Sequence, residues 1–326
     1  MVTIADSGQG HRYAYSPPTH ANTTQFIDDE SRTFTGPRTV ITLLGAAAAS
    51  FGEILPIDAP YNRSRYSTEF YGPIVNCSEA SDSKATLING LFNQNMQIRV
   101  GTARQVDSAY YAFVPGYNAS GQMIALSDPR DPQTHFKSSN ELWMTFLRFA
   151  YDAQGNLKKE RHYQVCELHN ATYDITIEWD KGVQMVNGTY KTMEAVPFPH
   201  DGPDDVSNMA QHAYSAFFWV LTDQLVGQMS WYQDVDAANQ HYASRPPQFG
   251  VIDTPLQRTA LLGSSDLDVF FNFDAEKGLF KIDNEPEVST QRLQDKLFAK
   301  NRTLDVMIQE LSFNMTVSLM HNKLLT

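Results

Sequence analysis

Positive charge is scarce in this chain. It has 25 lysines and arginines against 37 aspartates and glutamates, a net charge of −12. Nucleic-acid backbones and anionic membrane surfaces reward clustered Lys and Arg, and the absence of any such cluster argues against both partners. Cysteine is rarer still, with only Cys77 and Cys166. Long apolar runs are also missing. None reaches the roughly eighteen residues that a bilayer span requires, so contact with a membrane is expected only through segments missing from this chain. The familiar catalytic signatures do not occur either: no Gly-x-Ser-x-Gly elbow, His-Glu-x-x-His, phosphate loop or Gly-x-Gly-x-x-Gly fingerprint. No cofactor is expected.

What is abundant is the N-glycosylation signal. Asn-X-Ser/Thr with a non-proline middle residue occurs at Asn22, Asn62, Asn76, Asn118, Asn170, Asn187, Asn301 and Asn314. Such a set implies surface positions on a chain that travels the secretory pathway. An even number of cysteines agrees with that route. A Cys77–Cys166 bridge would close a loop of about ninety residues and stabilise by roughly 4–5 kcal/mol in the chain-entropy picture. Two buried free thiols, behaving as small hydrophobes, are the alternative. The N-terminus from Met1 to Ser7 lacks the charged start and apolar run of a signal peptide. Export therefore implies an upstream segment outside this chain or a signal not visible here.

With 42% hydrophobic and 12% aromatic residues, the chain has enough to bury a core without metals. Residues 1–35 are polar and read as a flexible arm. Val40 to Ala49 reads as a buried strand, with Thr39 to Leu44 as the first strand of the ordered part. Glu53 to Pro60 is irregular, and Tyr66 to Cys77 is a strand broken at Gly72-Pro73. Residues 83–96 have helical character. Ile98–Val100, Ala109–Val114, Leu142–Tyr151 and Tyr163–Leu168 return to strand. Tyr173, Ile175, Ile177 and Trp179 alternate with Asp174, Thr176 and Glu178, the period of a half-buried strand. Asp180-Lys181-Gly182 turns the chain back along Val183–Val186, and Asn170 and Asn187 are expected at the open end of that hairpin.

Ser207 to Met229 places Met209, Ala213, Phe217, Val220, Leu221 and Leu225 on one helical stripe. Ser289 or Thr290 caps a further helix through Leu293 and Leu297, with its register restarting at Leu304, Ile308, Leu311, Met315 and Leu319. These elements make an α+β protein: a β-rich body, an antiparallel sheet or sandwich, with helices from the C-terminal third packed on it. Residues 36–326 are expected as a single domain, with a subdivision near 197–203 as the alternative.

Candidate chemistry is thin. Ser81-Asp-Ser-Lys84 matches the Ser-x-x-Lys pattern of some acyl-enzyme hydrolases, but its partner motifs are absent. His162 and His169 flank Cys166 on opposite strand faces. His200 with Asp201, Asp204 and Asp205 is the most metal-like group, although aspartates at a helix start explain it as well. Asp266 and Asp268, read as sharing a strand face, are the nearest sequence-local carboxylate pair for glycoside hydrolysis. None makes a catalytic or metal site, and none is assigned.

Three stretches are similar to a group of uncharacterised filamentous-fungal proteins: Glu69-Phe-Tyr-Gly-Pro-Ile-Val-Asn-Cys77, Tyr163-Gln-Val-Cys-Glu-Leu-His-Asn-Ala-Thr-Tyr173, and Leu311-Ser-Phe-Asn-Met-Thr-Val-Ser-Leu-Met with Leu324-Leu-Thr326. Those relatives are polytopic membrane proteins with a long glycosylated extracytoplasmic domain before a last membrane helix. The resemblance covers residues 36–326. It implies that Cys77 and Cys166 are paired and that the domain lies on the extracellular face of the plasma membrane or in the secretory pathway. This chain departs from the pattern in lacking the membrane helices. The expectation is a non-catalytic surface-interaction or sensing domain whose partner is an unknown surface or wall ligand. A secreted hydrolase acting on carbohydrate is the alternative.

Overall fold

The computed structural model describes residues 38–59, 61–96, 99–100, 103–118, 120–126, 139–198, 209–234, 248–252, 254–270, 295 and 297–320, together with four short N-terminal strands. Those strands pair as β1 (Val2–Thr3) with β2 (Arg12–Tyr13) and β3 (Thr24–Phe26) with β4 (Phe34–Pro37). The rest of the expected 1–35 arm lies outside the described residues. The fold is α+β, an antiparallel sheet with helices of the C-terminal third packed on it. The chain divides into two compact units, each built from separated segments. Residues 199–203, the greater part of the expected subdivision at 197–203, are not among those described.

The first unit comprises Met1–Asn76, Glu167–Leu221 and Gln309–Thr326. Its first helix, α1 (Thr39–Phe51), corrects the strand expected at Thr39–Leu44. A short apolar run fits either element, and the alanines at positions 46–49 favour the helix. Gly52 ends it in the left-handed conformation, at φ 69°, where glycine carries no Cβ penalty.

Strand β5 (Arg63–Glu79) runs without the expected break at Gly72-Pro73. Gly72 is there for close approach rather than for a turn: a Cβ on it would lie 2.9 Å from Thr316 Cγ2 and 3.2 Å from Tyr173 Cε2. The Pro73 carbonyl accepts hydrogen bonds from Tyr173 Oη (2.5 Å) and Thr316 Oγ1 (2.8 Å). Proline is tolerated because, among the described residues, β5 pairs with a single strand, β10 (Leu157–Asp180). Strand β10 merges two expected strands, Tyr163–Leu168 and Tyr173–Trp179, into one.

β10 then turns through Lys181 (φ 52°) and Gly182 (φ 82°) into β11 (Val183–Ala195). Two positive φ values make the two-residue turn that matches strand twist, as the Asp-Lys-Gly reading expects. The register sets Tyr173 opposite Tyr190, Asp174 opposite Thr189 and Thr176 opposite Asn187. Asn187 is therefore close to the turn, and only Asn170 lies toward the open end. This corrects the expected shared position of the two sequons.

Inward side chains Tyr173, Ile175, Ile177 and Trp179 form a core with Tyr66, Ile74, Val317 and Met320. Helix α3 follows as α-helix Met209–Asp223, and the last helix is α4 (Leu304–Ser318). The α3 helix is shorter than expected. Its chain leaves through Gly227 (φ 111°), so Leu225 and Met229 are buried beyond the helix end. Close packing of α1, α3 and α4 meets at Gly45, where a Cβ would sit 2.2 Å from Val220 Cγ1 and 3.2 Å from Met315 Cε.

The second unit, Cys77–Cys166 with Thr222–Ile308, contains helix α2 (Asp82–Asn95), strand β6 (Arg99–Val100), β7 (Ala103–Tyr117), β8 (Met123–Leu126) and β9 (Glu141–Tyr151). β7 pairs with β9 on one side and with β12 (Gly227–Asp234) on the other, and β13 (Gln248–Ile252) extends from β12. Ile88, Leu91 and Phe92 of α2 pack on Tyr111, Phe113, Trp143 and Val165. Cys77 and Cys166 form a disulfide, 89 residues apart in sequence. The apolar stripe from Leu304 to Leu319 is buried as expected, but Leu297 is 68% exposed. Lys300 and Asn301 have positive φ and break the register between them. Ser289, Thr290 and Leu293 lie outside the described residues.

Candidate functional site

Strands β5, β10 and β11 share one face turned away from the core. On β5 and β10 the contacts march in steps of two. Arg63 pairs with Asp180 at 3.0 Å, Arg65 with Glu178 at 3.2 Å, and Ser67 Oγ with Thr176 Oγ1 at 2.8 Å. Cys77 and Cys166 lie in that same register, ten residues on along one strand and ten back along the other. Continuing it brings Glu69 beside Asp174 and Tyr71 beside Thr172.

A groove of about 530 Å³ lies over this face. Its lining is three consecutive residues from each strand: Glu69–Tyr71, Thr172–Asp174 and Thr189–Lys191. The middle residue of each triple points inward. Phe70 stacks on Tyr173 at 5.0 Å, and Tyr173 lies 6.0 Å from Tyr190 and 5.8 Å from Phe313. Burial raises the phenol pKa of Tyr173, and burial followed by the nearby Glu310 raises that of Tyr190. The flanking residues point outward, as strand alternation requires. They make two rows, Glu69–Asp174–Thr189 and Tyr71–Thr172–Lys191, with Tyr71 62% exposed. Two carboxylates, one ammonium, two hydroxyls and an open aromatic face recognise hydrogen-bonding, weakly charged groups. Sequence reading identified the outward Asp174 but not its neighbours, because the pairing of β5 with β10 is not written in either strand alone.

The sequons fall in different surroundings. Asn62, Asn187 and Asn301 are exposed. Asn118 is half-buried in the loop after β7, its Oδ1 accepting from Ser120 N, Ser120 Oγ and Gln122 N. Asn76 Nδ2 donates to Thr192 Oγ1 at 3.3 Å. Asn170 Nδ2 donates to Glu194 at 3.3 Å, and its Oδ1 accepts from Tyr214 Oη at 2.8 Å. Burial, then the charge of Glu194, pushes the Tyr214 phenol up to about 12. The Glu194 carboxyl is held low by its own backbone N–H and then by the Asn170 amide. Asn314 lies within α4, its Nδ2 donating to Gly52 O at 2.9 Å. Asn22 is outside the described residues.

The other candidates resolve into structural roles. Ser81 is the N-cap of α2, accepting from Lys84 N. Lys84 Nζ is drawn instead to Glu141, at 2.9 Å, which also accepts from Trp143 Nε1 at 2.6 Å. Asp266 and Asp268 do not share a strand face: they sit on the 3₁₀ turn Ser265–Phe270. Asp266 is buried, pairs with Arg148 and accepts from Leu304 N at 2.8 Å, so it anchors the start of α4. His162 stacks on Phe146, and His169 Nδ1 meets Met193 O at 3.2 Å. No metal-holding group of His, Cys, Asp or Glu occurs among the described residues. The group around His200, Asp201, Asp204 and Asp205 lies outside them. No helix among the described residues is long and apolar enough to cross a membrane.

Comparison with protein-family models, with curated proteins and with solved structures finds no match to this chain.

Proposed function

We propose that this chain is the N-glycosylated extracytoplasmic domain of a fungal membrane protein, with a non-catalytic role in surface interaction or sensing. The observation that carries this reading is the Cys77–Cys166 bond, since disulfides form and persist in oxidising compartments. The exposed amides of Asn62, Asn187 and Asn301 support it, each open to a glycan without disturbing a core contact. Asp266, the acid best placed in sequence for hydrolysis, is occupied in capping a helix, which weighs against the hydrolase alternative.

The test is expression through the secretory pathway of a fungal host, followed by enzymatic glycan removal and peptide mapping. A mass drop of several glycans, with Cys77 and Cys166 recovered in one linked peptide, is the expected result. An unshifted band with free thiols would overturn the reading.

A further inference from the structure

We infer that the groove on the β5–β10–β11 face is the seat of the chain's own Asn187 glycan, whose first two sugar rings fold back over Asp174 and Thr189 toward Tyr71. This rests on the glycosylated reading above and goes beyond it, because it assigns the groove an occupant.

Placement is the first argument. Asn187, Thr189 and Lys191 follow one another on the outward face of β11, and all three are exposed. The floor of the groove at Tyr190 is three residues from Asn187, roughly 10 Å at about 3.3 Å per residue. The sequon is Asn187-Gly188-Thr189, and its middle residue is set by packing. A Cβ on Gly188 would meet Ile175 Cδ1 at 2.3 Å and Asp174 O at 3.2 Å. The acceptor asparagine is therefore held on a rigid, paired strand with its side chain on the groove's side, opposite Thr176.

Chemical fit is the second. A pyranose ring offers an apolar C–H face and a rim of hydroxyls, and an N-acetyl group adds an amide N–H. Tyr71 presents an open aromatic surface with little conformational entropy to lose. Glu69 and Asp174 both line the groove and supply carboxylate oxygens. Those oxygens accept from the hydroxyl and amide donors of a sugar. Lys191 offsets one of the two carboxylates, which leaves the lining too weakly negative to select a basic peptide. Tethering is the third argument. A free saccharide pays translational and rotational entropy on binding. A glycan attached within reach does not, so a single stacking contact and a few hydrogen bonds are enough to hold it.

The experiment compares glycosylated wild-type protein with Asn187→Gln, Tyr71→Ala and the double variant, with Asn62→Gln as the control. Tyr71 is exposed, so its truncation leaves the fold intact. Tyr71→Ala is expected to lower the melting temperature by ~2 °C when Asn187 carries its glycan and to leave it unchanged in the Asn187→Gln background. Native-state enzymatic release of the Asn187 glycan is expected to run several-fold slower than release at Asn62, and Tyr71→Ala should abolish that difference. Equal release rates, or the same Tyr71→Ala effect in both backgrounds, would overturn the assignment. So would saturable binding of a soluble oligosaccharide to the glycosylated wild-type groove, which would give the site to an external ligand. Site-by-site mass mapping separates the two levels. Glycans elsewhere with a bare Asn187 sink this inference alone, whereas no glycan anywhere sinks the glycoprotein reading with it.

Discussion

At the scale of single residues, the buried polar groups are explained by what they hold in place. Asp266 is 1% exposed and serves two partners, the Arg148 guanidinium and the backbone N–H of Leu304. Removing Asp266 leaves the buried Leu304 N–H without an acceptor, while Arg148, 39% exposed, keeps access to water. Asp266→Ala should therefore destabilise the protein by about 1–3 kcal/mol, read as a lowered urea midpoint. An unchanged midpoint would show that this carboxylate has no structural role. Gly45 makes the complementary case. Ala at a helix interior normally gains up to about 1 kcal/mol over Gly. Here the added methyl meets Val220 Cγ1, a branched atom fixed close to its backbone. Gly45→Ala is expected to lose about 1–2 kcal/mol despite the better propensity, and a raised melting temperature would contradict the packing.

At the scale of elements, β11 is the one whose position has consequences. It ends the strand order of its sheet and bonds only to β10 among the described residues. Its exposed apolar side chains include Val183 (64%), Met185 (50%) and Met193 (40%). Long edge strands with apolar faces invite pairing with other chains, and proteins blunt them with charge or cover. Without glycan, the protein should self-associate in a concentration-dependent way. Met185→Lys should reduce that association with little change in melting temperature, as followed by sedimentation. If the unglycosylated protein stays monomeric at high concentration, the edge is protected by something else. The α1 helix and the long β10 strand show where reading along the chain falls short. Thr39–Leu44 is apolar and β-branched enough for a strand, and only its alanine continuation and its packing against Val220 and Met315 decide for a helix.

At the scale of the whole molecule, two conditions should govern stability. Reducing the Cys77–Cys166 bond frees a loop closed across 89 residues of sequence. Loss of such a bond costs about 2–5 kcal/mol, so a strong reductant should lower the melting temperature by several degrees, and the Cys77→Ser, Cys166→Ser double variant should match it. The second condition is alkaline pH. Burial raises the phenols of Tyr110, Tyr111 and Tyr173 above their ordinary value of 10.0, and pushes Tyr214 up to about 12. Folded, these phenols keep their protons while the unfolded chain releases them, so the folded state binds more protons above pH 10. Their stabilising contribution is full below the unfolded value and falls as pH rises above 10, that of Tyr214 being lost through about 12. Tyrosinate absorbance and circular dichroism should change together in that interval. Full ionisation of all tyrosines with the fold intact would contradict the burial.

The sequence by itself determined what is local. The alternation from Tyr173 to Trp179 and the Asp180-Lys181-Gly182 turn specify a half-buried strand and a hairpin because a strand's period and a turn's φ values are properties of a few adjacent residues. The α+β class follows from the order of such segments, and the two cysteines and eight sequons are countable without any coordinates. Tertiary structure decided everything that depends on register between distant segments. It set Cys77 across from Cys166, Glu69 beside Asp174, and Asn187 in the row next to the groove. It also gave Asp266 to Leu304 as a cap rather than to Asp268 as a catalytic partner. No periodicity within one strand records which strand will lie beside it. That choice is made when the apolar faces of β5, β10 and α4 close on a common core, and the outward residues are carried to their neighbours by that closure.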